Sequence, residues 1–277
     1  MTAPLAVAVG GRGLVDPLAP VLRADDEGFA RGRAAFTTMR VYGGRPFRLQ
    51  THIARLQQSA ARLELPHPDG KELAELAALA VSAAGTPDLS LRLTWTPGPP
   101  GGPPLALAVA GAIPDWIEPM RARGTRLASI PVPRRSEPWL LEGTKSTSYA
   151  VNIAAEAEAK RRGADDAVFL DSGGTVLEGP VTNIWWRVAR DLYTPALELG
   201  ILAGETRQAL IELAPGLGYR VVEGIFPLTA LLTAEEVFTS SSVREVIPVV
   251  AVDGSSFMRG EAAAALQSAL RELATRP

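Results

Sequence analysis

The 277-residue sequence contains no cysteine. Disulfides, thiol nucleophiles and cysteine metal centres are therefore excluded. Histidine is nearly as scarce, with only His52 and His67. That count argues against a histidine-rich metal site, and a Ser-His-Asp triad has to draw on one of the two; no metal is expected. No apolar run approaches the roughly 20 residues of a membrane span. The first residues lack the basic start and long apolar core of a signal peptide. An excess of either charge is missing too: 28 Lys and Arg stand against 30 Asp and Glu. Nothing here supplies a basic field for nucleic acid or a reason to approach a membrane surface. What is present is an ordinary globular hydrophobic fraction of 47%. The chain is long enough for a large core and two domains. A cytoplasmic enzyme is the expectation.

Short apolar runs with glycine turns open the chain. Leu5–Val9 reads as a strand, and Gly10-Gly11-Arg12-Gly13 as its turn. These glycines lack the full G-x-G-x-x-G spacing of a dinucleotide loop. Ala35–Tyr42 alternates and is rich in β-formers, and Gly43-Gly44 turns it into a hairpin. Thr51–Leu65 is helical, with Ile53, Leu56, Ala60 and Leu63 on one face and His52, Arg55, Gln58 and Arg62 elsewhere. Lys71–Ala84 is a second helix. Leu89–Thr96 and Leu105–Ala110 are strands joined by the Pro/Gly-rich stretch 97–104, an exposed hairpin loop. Residues 113–123 read as the domain connection. The second half alternates: helix Tyr149–Arg162 ended by Gly163, strands at Ala167–Asp171, Thr175–Leu177, Asn183–Val188 and Leu192–Thr194, a helix at Thr206–Leu213, a strand at Glu236–Thr239, and a C-terminal helix Glu261–Ala274.

Lys145 is the most informative residue. It lies in the polar run Leu141–Tyr149, just before a helix. Most lysines are solvated. A lysine held among small hydroxyl residues and apolar flanks instead loses charge by desolvation and becomes a nucleophile able to form a Schiff base. Tyr149 is either a core tyrosine or a hydroxyl donor to a cofactor oxygen. Glu178 is either a solvated turn carboxylate or the buried partner of a protonated pyridine nitrogen. Asn183 is a turn residue or orients that carboxylate. Gly200–Arg207 enters a helix, where Thr206 either caps the first turn or binds phosphate. Arg207, a cation in a first turn, opposes the helix dipole unless an anion lies nearby. Ser240–Glu245 is a polar loop or an anion nest. Arg40 is a strand arginine or a phosphate ligand.

Together these segments resemble the class IV aminotransferase family, the fold-type IV pyridoxal-phosphate enzymes. The resemblance runs from about Asp26 to Gly254 and is most specific over Glu142–Tyr149, Ala164–Ile184, Leu192–Arg207 and Glu235–Pro248. It implies an α/β (α+β), two-domain, D-amino-acid-aminotransferase-like fold: a small N-terminal domain over 1–112, the connection at 113–123, and a larger cofactor-binding domain over 124–277. It implies that Lys145 carries pyridoxal 5'-phosphate, that Glu178 meets the ring nitrogen, and that Tyr149 lies near the phenolic oxygen. It assigns the phosphate to Arg40, Glu205, Thr206 and Ser242. It also implies a homodimer acting on a small-molecule amine.

Within the family, Phe36–Val41, His52–Gln57, Lys145–Tyr149, Tyr193-Thr194-Pro195 and Gly200–Gly204 look like the 4-amino-4-deoxychorismate lyases, which release pyruvate and form p-aminobenzoate for folate biosynthesis. Thr38 and Arg92 are candidate substrate contacts from their strand positions. Two features depart from the family. Gly32-Arg33-Ala34 replaces an acidic glycine-flanked turn, and the 97–104 loop is unusual where relatives carry substrate contacts. A branched-chain or D-amino-acid aminotransferase is the nearest alternative, since it shares the first proton removal. A non-enzymatic α/β binding protein is the remote one.

Overall fold

The computed structural model describes residues 3–133 and 142–276. The chain divides into two compact units. One runs up to Pro114 and adds Thr144–Tyr149; the other comprises Asp115–Gly143 and Ala150 onward. Leu141, the first residue of the lysine-bearing run, lies outside the described residues.

The first unit holds β1 (Pro4–Val9), β2 (Gly13–Val15), a short α1 (Glu27–Ala30), β3 (Ala35–Tyr42), β4 (Arg45–Pro46), α2 (Leu49–Arg62), α3 (Gly70–Ala83), β5 (Leu89–Thr96) and β6 (Leu105–Gly111). Its strands form an antiparallel sheet in the order β2-β1-β6-β5-β3-β4. Period-2 alternation sorts the two faces. Ala35, Met39 and Val41 of β3 and Leu89, Leu91, Leu93 and Trp95 of β5 enter the core beneath α2 and α3. Phe36, Thr38, Arg40, Ser90, Arg92 and Thr94 are left for the opposite face. The β3–β4 turn needs both its glycines, because Gly43 (φ 54°) and Gly44 (φ 78°) are left-handed.

In α2, His52 and Arg55 lie off the apolar face, as the sequence pattern has them, and both are nevertheless buried. His52 Nδ1 lies 2.7 Å from Thr37 Oγ1, and Arg55 donates to the same hydroxyl at 2.9 Å. A polar stripe thus sits beside the apolar one, with the Thr37 hydroxyl shared between His52 Nδ1 and Arg55 Nη2.

The second unit holds α4 (Ile117–Arg123), β7 (Thr125–Pro131), α5 (Ala150–Arg161), β8 (Asp166–Leu170), β9 (Asn183–Val188), β10 (Asp191–Pro195), α6 (Glu205–Leu213), β11 (Arg220–Gly224), α7 (Leu228–Leu232), β12 (Glu236–Ser241), β13 (Glu245–Val252), β14 (Ser255–Ser256) and α8 (Glu261–Thr275). The mixed sheet runs β11-β10-β9-β12-β13-β7-β8, with β14 on β13. Stretch 113–123 therefore contains a helix whose Ile117 is buried. Thr175–Leu177 is not a strand; Thr175 and Val176 make isolated bridges to Pro227 and Leu170. Strand β13 carries Pro248 in its interior, which masks its β signal in the sequence. Trp185 and Phe238 stack across β9 and β12 with ring centroids 5.9 Å apart, at the centre of the sheet.

Candidate active site

In the first unit the lysine-bearing segment pairs with the start of β3. Ser146 bridges Ala35, the Phe36 amide donates to the Lys145 carbonyl at 3.0 Å, and the Thr147 amide donates to Ala34 at 2.9 Å. This pairing brings several predicted residues around one ring. Lys145 Nζ stands 4.6 Å from the Phe36 centroid, and the Arg92 guanidinium 3.8 Å. Tyr149 meets the same ring edge-on at 5.4 Å. Thr38 and Arg92 are direct cross-strand partners on that face. Arg40 follows two residues along, its guanidinium 5.2 Å from the Tyr42 ring.

Arg92 is partly withdrawn from solvent. Burial lowers its pKa from the usual arginine value, and Tyr149 works in the other direction. An arginine stays charged even so. Among the described residues no carboxylate pairs with it, so its fork of donors suits an anionic ligand.

The second unit gathers a different set. Glu178 is buried, and its Oε2 accepts the Leu202 amide at 3.0 Å. Asn183 is buried and donates from Nδ2 to the Leu202 carbonyl at 2.9 Å. The solvated reading of Glu178 is thereby removed. Asn183 reaches Leu202 rather than acting as a bare turn residue. Two residues on, Gly204 is the N-cap of α6, and no side chain caps that helix. Glu205 and Thr206 are buried in its first turn. Thr206 lies inside the helix and is not the cap. Such an end presents backbone amides and the positive end of the helix dipole. Ser242 sits in the turn between β12 and β13, and Ser240 of β12 pairs with Asn183.

Arg207 has a protein partner. Its Nη2 donates to Glu223 at 2.5 Å and to the Pro195 carbonyl at 2.9 Å. The unfavourable first-turn cation is thus answered by a carboxylate, with no need for a bound anion. Three residues of these arrangements have roles that the sequence motifs do not mark: Phe36 as the common platform, Leu202 as the shared anchor, and Ser59, which touches Lys145 (3.2 Å from Ser59 Oγ to the Lys145 amide nitrogen). The 52/55/59 spacing of polar residues on a helix was the available signal for the last.

The fold and these residues define the class of protein. The class IV aminotransferase family model matches residues 34–252, and the chain belongs to that family. It is 32% identical to an aminodeoxychorismate lyase of Bacillus subtilis, covering 89% of this chain and 87% of that one. It is 31% identical to a bifunctional aminodeoxychorismate lyase/D-amino acid transaminase of Mycobacterium tuberculosis, covering 89% and 91%. A hypothetical aminotransferase from Mycobacterium tuberculosis, solved in a PLP-bound form, superposes with a TM-score of 0.93 at 29% identity, covering 98% of this chain and 99% of that one.

The protein is thus a fold-type IV enzyme of a pyridoxal-phosphate-dependent family. Among the described residues are the kinds of group that cofactor requires: a primary amine at Lys145 in the first unit, and in the second a buried carboxylate at Glu178 and a helix start at Gly204 with no side-chain cap. Among the described residues, no group of His, Cys, Asp and Glu is arranged to hold a metal ion. None of their helices is long and apolar enough to cross a membrane.

Proposed function

We propose that this protein is a 4-amino-4-deoxychorismate lyase that releases pyruvate and forms p-aminobenzoate, working as a cytoplasmic homodimer in folate biosynthesis. The observation that carries the reading is the convergence of Lys145, Arg92 and Tyr149 on Phe36. A basic amine beside an unpaired, desolvated guanidinium suits an amine substrate that also carries a carboxylate. The names of the Bacillus and Mycobacterium relatives support the particular reaction.

In this reading Lys145 carries pyridoxal 5'-phosphate and Glu178 holds its ring nitrogen, with Asn183 fixing the adjoining backbone. Tyr149 donates to the phenolic oxygen. Arg40, Glu205, Thr206 and Ser242 hold the phosphate. The bound cofactor supplies an electron sink for the carbon that loses its proton. Lys145, released when the substrate amine takes its place, removes that proton from the amine-bearing carbon. Arg92 binds a substrate carboxylate, and Thr38 lies beside it as a second contact. The ether bond to the enolpyruvyl group then breaks. The departing group gains one proton to become pyruvate, and the ring becomes aromatic, so atoms and protons balance.

The test is turnover of aminodeoxychorismate by cofactor-loaded protein with no keto acid present. Equal amounts of p-aminobenzoate and pyruvate over many turnovers, lost in Lys145→Ala, establish the lyase. Product formed only after a keto acid is added establishes the second reading, an aminotransferase. The bifunctional Mycobacterium relative keeps that reading in view.

A further inference from the structure

We propose that Ser59 is a positioning residue for Lys145, a role that rests on Lys145 being the cofactor-bearing lysine. Helix α2 packs against β3. Its buried residues form two stripes: Ile53, Leu56 and Ala60 belong to the apolar core, while His52, Arg55 and Ser59 are polar. Spacings of three and four place the polar three along one line of the helix. A helix needing only core packing has no reason to bury three polar side chains in a row, since each requires a partner. His52 and Arg55 meet Thr37 of β3. Ser59 meets the lysine-bearing segment instead. Its Oγ accepts the Lys145 amide at 3.2 Å.

The geometry around that bond separates Ser59 from ordinary packing. The Lys145 carbonyl and the Thr147 amide are fixed by main-chain bonds to Phe36 and Ala34. The amide of Lys145 itself is met by a side chain. Both backbone groups of the reactive residue are thereby tied, one to β3 and one to α2. The strand residue that takes the carbonyl, Phe36, also carries the ring beneath Nζ. Backbone dihedrals at Lys145 set the direction in which its four-carbon stem leaves the segment. Ser59 thus fixes where Nζ points without touching substrate or cofactor. Loss of its hydroxyl leaves the Lys145 amide without that acceptor and lets the segment turn.

The test compares Ser59→Thr with Ser59→Val, two side chains of nearly equal shape of which only threonine keeps the hydroxyl. Three readouts are taken. Borohydride reduction of cofactor-loaded wild type, followed by peptide mapping, shows which lysine carries the cofactor. A tag on a lysine other than Lys145 overturns the functional reading and this inference with it. The second readout needs no cofactor: the rate at which an acylating reagent labels Lys145 in the apoprotein. The third is kcat against KM.

With the tag on Lys145, Ser59→Val is expected to change the labelling rate several-fold and to lower kcat by about ten- to a hundredfold, with KM nearly unchanged. Ser59→Thr is expected to stay close to wild type in both. Equal behaviour of the two variants overturns the inference while leaving the assignment of Lys145 intact, because a packing role is blind to the hydroxyl.

Discussion

Glu178 and Asn183 grip the two backbone polar groups of one residue. Glu178 accepts the Leu202 amide at 3.0 Å, and Asn183 donates to the Leu202 carbonyl at 2.9 Å. The carboxylate is thus anchored to the loop that leads, two residues later, into α6. Glu178→Gln keeps a hydrogen-bond acceptor at that amide and removes the charge. Its expected result is a folded protein with unchanged melting temperature that has lost at least about a hundredfold in kcat, as removal of a site's electrostatic partner does. Asn183→Ala leaves the part-buried Leu202 carbonyl without its Asn183 donor instead. It is expected to lower stability by roughly 1–3 kcal/mol, read by urea denaturation.

Gly204 approaches the same asparagine. A Cβ built at Gly204 would fall 2.1 Å from Asn183 Oδ1, far inside van der Waals contact. Its backbone is not left-handed, so the glycine answers to close approach and not to φ. Gly204→Ala is expected to push Asn183 off Leu202 and misplace the first turn of α6. Cofactor affinity, followed by absorbance titration, is expected to fall by at least tenfold, and the melting temperature with it. An alanine variant that binds as tightly as wild type removes Gly204 from the site.

His52 couples stability to pH. Burial depresses its pKa well below the usual 6.5, with Arg55, Lys145 and Arg48 adding in that order. Arg55 donates to Nδ1 at 3.2 Å, which favours the neutral ring. The unfolded chain takes up a proton as pH falls through about 6.5, while the folded ring does not. The stability that His52 contributes is therefore complete above that pH and drains away as pH falls toward the depressed folded value. His52→Asn keeps an acceptor for Thr37 and Arg55 but does not titrate. Its denaturation free energy is expected to vary less with pH than that of wild type between pH 7 and 5. Parallel curves for the two proteins count against this.

Arg92 is expected to act on binding. Arg92→Lys keeps the charge but loses the planar fork and the stacking on Phe36. KM for a carboxylate-bearing substrate is expected to rise by at least about tenfold, a loss of roughly 1.4 kcal/mol, with kcat less affected. Steady-state kinetics decide it. A change confined to kcat places Arg92 outside the substrate contacts.

The sequence alone determined most of the regular framework. The alternation of Ala35–Tyr42 and of Leu89–Thr96 set both strands and their two faces, because period-2 patterning is a local property of the chain. The order of motifs from Arg40 to Ser242 marked the family, and the lack of cysteine and scarcity of histidine cleared away rival chemistries. Tertiary structure decided which of those residues meet. Nothing in a linear reading brings residues 144–149 to the edge of β3, since bridge pairing depends on chain segments more than 100 residues apart. The same holds for Leu202 between Glu178 and Asn183, and for Arg207 finding Glu223. The helical pattern sets His52 and Arg55 apart from the apolar face, but only the fold supplies Thr37 as their partner. A polar side chain announces only that it needs a hydrogen bond; where the bond is made depends on packing, and packing is not local.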